Sequence, residues 1–435
     1  MQPQVFARRR RELLRQMPPD SVAILPAAHH PIRNRDVEYP YHQESDFYYL
    51  TGFAEPDAIL VLRKSGRKGS WGLFCQERNR KQEQWTGERL GTKRAISRMG
   101  ADQAWPIESW LEQLPDLLTG TQQIFFNLGE ESSIEQGLLR QLREFRQRNR
   151  SGAVVPQTIH LLDPMLHEMR LYKSPAEIRI MRRAASVTVA AHRRAMRACS
   201  PGLVESGLEG EILHEFSSHG VRIVAYDTIV AGGNNACTLH YINNSEKLRD
   251  GDLVLVDAGA EVEGYAADVT RTFPVNGRFT TEQRKLYEIV LAAQRAAIQQ
   301  IRPGRRWDTF HRAAVRVITR GLIDLKILKG DPEQLIKDEK YKKFYMHQTG
   351  HWLGMDVHDV GNYQLDGKWR PLEQGMVLTV EPALYIPKGV RGVAKKWQGI
   401  GIRIEDDVVV TDSGCEVLTA EAPRSIEEIE SLMAG

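Results

Sequence analysis

Short apolar runs at 22–25, 58–62, 71–74 and 124–128 alternate with helix-period stripes at 110–118 and 134–145. This alternation predicts an α/β layer built on a small sheet through roughly the first 170 residues. The stretch carries no chemical motif of its own. Ahead of it, Phe6, Leu13, Leu14 and Met17 fall on one helical face beside the arginines at 8–11 and 15. No apolar signal core follows these arginines, so the expectation is a docked amphipathic helix rather than a presequence.

The pattern changes near residue 172. Ser174-Pro175-Ala176-Glu177 has the form of a capping box with proline at the first helical position, opening a long helix towards Cys199. A second stripe through Leu208, Ile212 and Phe216 is closed by Gly220. Thr280 and Gln283 cap a third, which runs through Leu286, Ile289, Val290 and Ile301 to Pro303-Gly304. Between and after these helices lie β-rich segments at 253–257, 267–275, 376–385 and 400–411. Helices and strands that segregate in this way indicate an α+β fold. Two domains are expected, 1–172 and 173–435.

Composition removes several classes of function. Among 435 residues, 59 Lys and Arg nearly balance 56 Asp and Glu, so no basic footprint points to nucleic acid or an anionic membrane surface. No apolar run approaches the ~18 residues of a membrane-spanning helix. Cys75, Cys199, Cys237 and Cys415 lie far apart with no CxxC, which fits a reducing, cytoplasmic setting.

The informative carboxylates are those set into apolar β-runs, where an unpaired charge is very costly. Asp257 ends one such run and Asp268 interrupts the next, while Glu381 follows Val377-Leu378-Thr379-Val380 and Glu405 follows Ile400 to Ile404. Asp257 and Asp268 flank a turn centred on Glu263-Gly264, so a hairpin would set them side by side. Glu381 and Glu405 flank a longer Gly-rich, basic connection, predicting a second hairpin that mirrors the first. Four carboxylates brought together repel unless divalent cations lie between them. Oxygen ligands with one added imidazole would favour Mn²⁺, Co²⁺ or Zn²⁺ over Ca²⁺ or Mg²⁺. The imidazole candidates are His347, His351 and His358, three within twelve residues, and then His240.

Each carboxylate taken singly has an ordinary reading. Asp257 would cap a turn, Asp268 would pair with Arg271, Glu381 would be a loop residue before Pro382, and Glu405 would join an acidic edge with Asp406 and Asp407. Four such coincidences beside a histidine cluster are harder to accept than one metal centre.

In order and context, Asp257, Asp268, His351, Glu381 and Glu405 resemble the five-ligand dimetal set of the pita-bread metallopeptidases, in particular the bacterial Xaa-Pro aminopeptidases (aminopeptidase P). The resemblance spans the chain. It includes Ser45-Asp46-Phe47, Thr51-Gly52-Phe53, Met169-Arg170-Leu171-Tyr172-Lys173-Ser174-Pro175, Asp257-Ala258-Gly259, Arg271-Thr272-Phe273-Pro274-Val275 and Gly401-Ile402-Arg403-Ile404-Glu405-Asp406. It implies a creatinase-like α/β N-terminal domain and a pita-bread catalytic domain with two pseudo-symmetric halves.

By the same resemblance, Asp257 holds one divalent ion, His351 and Glu381 hold the other, Asp268 and Glu405 bridge them, and Mn²⁺ is the usual metal. Glu381 also serves as general base, and His240 and His358 bind the peptide carbonyl and its oxyanion. His347, Tyr385 and Arg403 lie near the pocket for a proline at the second position of the peptide. On general grounds, however, Tyr385 also reads as strand core and Arg403 as a charge partner for the carboxylates. Trp85 matches a tryptophan lent to a neighbouring subunit, which implies a homo-oligomer, a tetramer or a dimer. Gln348-Thr349-Gly350 departs from the residues usual between the two histidines and bears only on the pocket wall. Prolidase, which cleaves Xaa-Pro dipeptides, shares the fold and ligands and is the nearest alternative. A non-enzymatic scaffold would be expected to break the ligand set, which is intact here.

Overall fold

The computed structural model describes residues 1–129, 132–147 and 154–435. They form two units, Met1–Met169 and Arg170–Gly435.

In the first unit, strand Ser21–Pro26 lies at the centre of a six-stranded mixed sheet. It pairs antiparallel with Ile59–Ser65 and parallel with Gln123–Phe125. Lys68–Cys75 continues the sheet on one side, and the short strands Gln103–Pro106 and Thr158–His160 close its two edges. Val22, Ile24, Ile59, Val61 and Phe74 of the sheet are buried against Trp110, Leu114, Leu118 and Leu138. These last four come from helices Trp110–Leu118 and Ser133–Gln147. The four apolar runs thus form strands, whereas the edge strands, lacking such runs, gave no signal. Helix Pro3–Gln16 docks through Phe6 and Leu13, as its stripe predicts. It also buries Arg9 and Arg10, whose guanidinium groups donate to the carbonyls of Tyr49 and Leu50 at 2.9 and 2.7 Å. The same groups lie 3.8 Å from the ring centres of Tyr49 and Trp71, so the charge is held by carbonyls and π-faces.

In the second unit, helix Pro175–Ala198 starts at the expected box, with the Ser174 N–H donating to Glu177 Oε2 at 2.9 Å. Helix Glu205–Ser218 follows. Helix Thr281–Ile298 stops short of Ile301, which is buried just beyond its end. Helix Asp308–Asp324 was not anticipated, although Phe310, Ala314, Ile318 and Leu322 are buried at strict four-residue spacing. Its N-cap is Trp307, with no capping side chain, so the usual start signal is missing.

Both hairpins form. Leu253–Ala258 runs antiparallel to Val269–Pro274 with Asp257 opposite Thr270, and the tip turns through Glu263 and Gly264 at φ +50° and +78°. Two left-handed residues at a two-residue tip suit the twist of a hairpin. Ala267 and Asp268 drop out of the ladder at a tight crossing, where a Cβ on Gly259 would stand 1.8 Å from the Ala267 carbonyl oxygen. In the second hairpin, Val377–Val380 pairs with Asp406–Val410 and Ala383–Ile386 with Ile400–Arg403. The runs expected to be continuous at 376–385 and 400–411 are therefore each broken. One break falls at Glu381-Pro382, where proline cannot donate to a ladder, and the other at Ile404-Glu405. Among the described residues, no helix is long and apolar enough to cross a membrane.

Candidate active site and metal centre

A cavity of about 810 Å³ lies over the hairpin breaks. It is lined by Asp257, Asp268, His351, Glu381 and Glu405 together with His240, His347, His358 and Arg403. One ligand atom each from Asp268, His351 and Glu405 lies within 4.8 Å of the others. His351 Nε2 is 3.4 Å from Asp268 Oδ2 and 3.9 Å from Glu381 Oε1. Its Nδ1 is 2.9 Å from the Trp352 carbonyl oxygen. Assigning the Nδ1 proton to that bond leaves the Nε2 lone pair facing the carboxylates, the tautomer a metal ligand needs.

Four acids are held here by few partners. Tyr226 Oη lies 2.6 Å from Asp257 Oδ1 and 2.5 Å from Asp268 Oδ1, so one phenolic proton serves two carboxylates. Arg403 donates from Nη2 to Asp257 Oδ2 at 2.5 Å, from Nε to Thr270 Oγ1 at 2.9 Å and from Nη1 to Tyr385 Oη at 2.9 Å. Thr270 in turn donates to Glu405 Oε2 at 2.6 Å.

The electrostatics reflect this crowding. Burial pushes Glu381 up to about 7, against the pull of His351 and Arg403. Burial, reinforced by Asp268, Glu381 and Asp257, carries Glu405 well above the carboxylate range. Asp257 is also raised, by burial, although Arg403 opposes it. Burial acts upward on Asp268 too, but the hydrogen bond and charge of His351 outweigh it and leave that acid below its ordinary value. His351 is lifted to about 9, burial being overcome by Asp268 and Glu381. Three buried acids that resist ionising, beside an imidazole that holds its proton against Asp268 and Glu381, are a donor set whose protons divalent cations would replace.

The other expected residues fall in different places. His347 Nδ1 is 2.7 Å from the Gln348 carbonyl oxygen and Nε2 is 3.0 Å from Tyr385 Oη; burial and then Arg403 push this imidazole down to about 3. His358 packs nearly perpendicular to His351 at 4.4 Å, and burial followed by the charge of His351 lowers its pKa. Tyr385 is wholly buried and is not among the residues lining the cavity. Trp85 belongs to the N-terminal unit, on helix Arg80–Thr86, and is 89% exposed.

The ordinary readings of Asp268 and Glu405 do not hold. Arg271 pairs with Asp406 Oδ1 at 2.7 Å, and its Nη1 donates to the Glu405 carbonyl at 2.6 Å. Asp406 and Asp407 are buried rather than forming an edge, and the Asp268 N–H lies 3.2 Å from Asp407 Oδ1. Sequence reasoning missed Tyr226, Thr270 and Asp407. Thr270 follows from the hairpin register, while Tyr226, in an irregular segment, had no signal.

Residues 179–412 match metallopeptidase family M24, and residues 6–125 match the aminopeptidase P N-terminal domain. The chain is 47% identical over 433 residues to the Xaa-Pro aminopeptidase of Escherichia coli K12, covering 99% of this chain and 98% of that protein. It is 35% identical to human Xaa-Pro aminopeptidase 3, over 92% of this chain and 78% of the relative. Among solved structures, aminopeptidase PepP of Pseudomonas aeruginosa superposes with a TM-score of 0.98 at 52% identity, over 100% of this chain and 98% of that one. A zinc-substituted E. coli aminopeptidase P in complex with product gives 0.97 at 47% identity, with the same coverage.

Proposed function

The chain belongs to metallopeptidase family M24, and from that premise we propose that it is an aminopeptidase releasing the first residue of peptides that carry proline at the second position. The observation that carries this reading is the convergence of four buried carboxylates and His351 at the breaks of two hairpins, facing one cavity. In this reading Asp257 would hold one divalent cation, His351 and Glu381 a second, and Asp268 and Glu405 would serve both. A mostly oxygen donor set with one imidazole suits Mn²⁺. Bound there, such cations lower the pKa of a water molecule and polarise the scissile carbonyl.

The protein's own groups do the rest. Glu381, lining the cavity, takes the proton from water and returns it to the leaving prolyl nitrogen. His240 and His358 donate to the peptide oxygen as it gains charge. Arg403 donates to Tyr385, whose hydroxyl can donate to His347 Nε2, so this pair orients the His347 ring beside the proline pocket. The exposed ring of Trp85 is free to enter the cavity of a second copy in a tetramer or dimer. The four free cysteines fit a cytoplasmic setting.

The test is hydrolysis after chelator treatment, comparing an Xaa-Pro-Xaa tripeptide with an Xaa-Pro dipeptide, each with and without added Mn²⁺. Mn²⁺-dependent release of the first residue from the tripeptide supports the reading. Preference for the dipeptide would make the protein a prolidase, and inactivity on both would leave a scaffold.

A further inference from the structure

We propose that Glu205, which lines no part of the cavity, is the positioning residue that sets His240 over it. The inference rests on the reading of His240 as a donor to the peptide carbonyl. Glu205 is the first residue of helix Glu205–Ser218 and is completely buried. Its Oε1 accepts from the Gly232 N–H at 2.8 Å and from Asn235 Nδ2 at 3.0 Å. Its Oε2 accepts from the Tyr241 hydroxyl at 2.8 Å and from the Glu246 N–H at 2.9 Å. All four donors are neutral, so the carboxylate acts as a hydrogen-bond hub at the positive end of its helix.

The donors bracket His240 on both sides. Segment 232–246 leaves strand Ile229–Gly232, whose Ile229 pairs with Asp257, and passes through the short turn Gly233–Cys237. No regular element spans 238–246, so no ladder fixes His240. The backbone is tied instead at Gly232 and Glu246 by one carboxylate, which also grips the side chain next to His240, that of Tyr241. Asn244, left-handed at φ +45° and buried, adds a lower tie, its Oδ1 accepting from the Val230 N–H at 2.9 Å and its Nδ2 donating to the Thr228 carbonyl at 2.8 Å.

Glutamine at 205 keeps the shape and breaks the logic. An amide offers one accepting oxygen, enough for Gly232 and Asn235, and turns an NH₂ group towards the Glu246 N–H, donor against donor. The Tyr241–Glu246 side of the segment then loosens, and misplacement of a catalytic group by about 1 Å is enough to cost up to ~10²-fold in rate.

The experiment is a double-mutant cycle on the full-length, Mn²⁺-loaded protein with an Xaa-Pro-Xaa tripeptide, combined with amide hydrogen exchange on metal-free and loaded protein. His240→Ala is expected to lower kcat about 10²-fold. Glu205→Gln should lower it about tenfold with KM nearly unchanged and faster exchange confined to 238–246. The double variant should be no slower than His240→Ala alone. If the Glu205→Gln effect instead multiplies with that of His240→Ala, or exchange at 238–246 is unchanged, the positioning role is overturned while the reading of His240 stands. A wild-type rate for His240→Ala removes both. Should Glu205→Gln fail to fold, Tyr241→Phe deletes one donor and is expected to show the same non-additive pattern at about threefold.

Discussion

Acid should weaken the C-terminal unit through one histidine that does not line the cavity. His192 sits on helix Pro175–Ala198 with no exposed surface, its Nε2 3.3 Å from the carbonyl oxygen of Ala258, next to Asp257. Burial first, and then the charge of Arg271, push its pKa from 6.5 down to about 4, while the carbonyls of Ala258 and Val269 and the Asp406 carboxylate act the other way. The unfolded chain takes up this proton near pH 6.5 and the folded protein only near 4. Its contribution to stability is therefore complete above about 6.5 and is lost as the pH falls through 4. The gap, at about 1.4 kcal/mol per pH unit, amounts to roughly 3 kcal/mol.

Urea unfolding at pH 7, 5.5 and 4, followed by circular dichroism, measures that loss. The comparison is with His192→Gln, whose amide keeps a donor near Ala258 but does not titrate. The variant will be less stable at pH 7 because the imidazole no longer fills its site, so the slope and not the offset carries the answer. Other acid-sensitive groups, such as His311, which burial followed by Lys342 lowers to about 4, are present in both proteins and cancel. Wild type should lose about 3 kcal/mol more than His192→Gln between pH 7 and 4. Parallel curves would refute the reasoning.

Three further outcomes are expected. Glu381→Ala should abolish tripeptide hydrolysis while leaving the far-ultraviolet dichroism unchanged, and residual turnover by metal-replete protein would sink its assignment as base. Trp85→Ala should lower activity with bound metal unchanged, and wild-type kinetics on a proline-containing tripeptide would remove Trp85 from the site. Gly259→Ala places a methyl group 1.8 Å from the Ala267 carbonyl oxygen, so the first hairpin must open beside Asp268. Metal content measured by atomic emission should drop together with the thermal midpoint, and full metal occupancy would show that the crossing yields more easily than its geometry indicates.

The carboxylates of the site were legible because each lies in or beside an apolar β-run, where a charge has few innocent explanations, and because Glu263-Gly264 marks its turn. What escaped depended on partners distant in sequence. The cation that Asp406 pairs with, Arg271, lies 135 residues earlier, and nothing local distinguishes Asp406 and Asp407 from an exposed acidic pair. Arg9 and Arg10 look like a solvated face until Tyr49, Leu50 and Trp71 are brought beneath them. Pro382 was visible in the sequence, but its effect, splitting a strand so that Glu381 falls at the break, became clear only from the register of the second hairpin.

That register explains why both hairpins deliver their acids to one cavity. Thr270 stands opposite Asp257 and Arg403 opposite Ala383, so Asp268 lies just before the first ladder's return strand, and Glu381 and Glu405 lie just outside the second. The breaks at 267–268, 381–382 and 404–405 remove backbone pairing beside the acids. Each hairpin thus turns a polar face inward, and the two faces interlock where Arg403 of one reaches Asp257 and Thr270 of the other. One guanidinium, one imidazole, one phenol and one hydroxyl do not neutralise four acids, and the raised pKa values of Asp257, Glu381 and Glu405 register the deficit. The fold holds this arrangement at a cost in its own stability, and divalent cations binding to it would return that energy as affinity, coupling metal loading to the stability of the C-terminal unit.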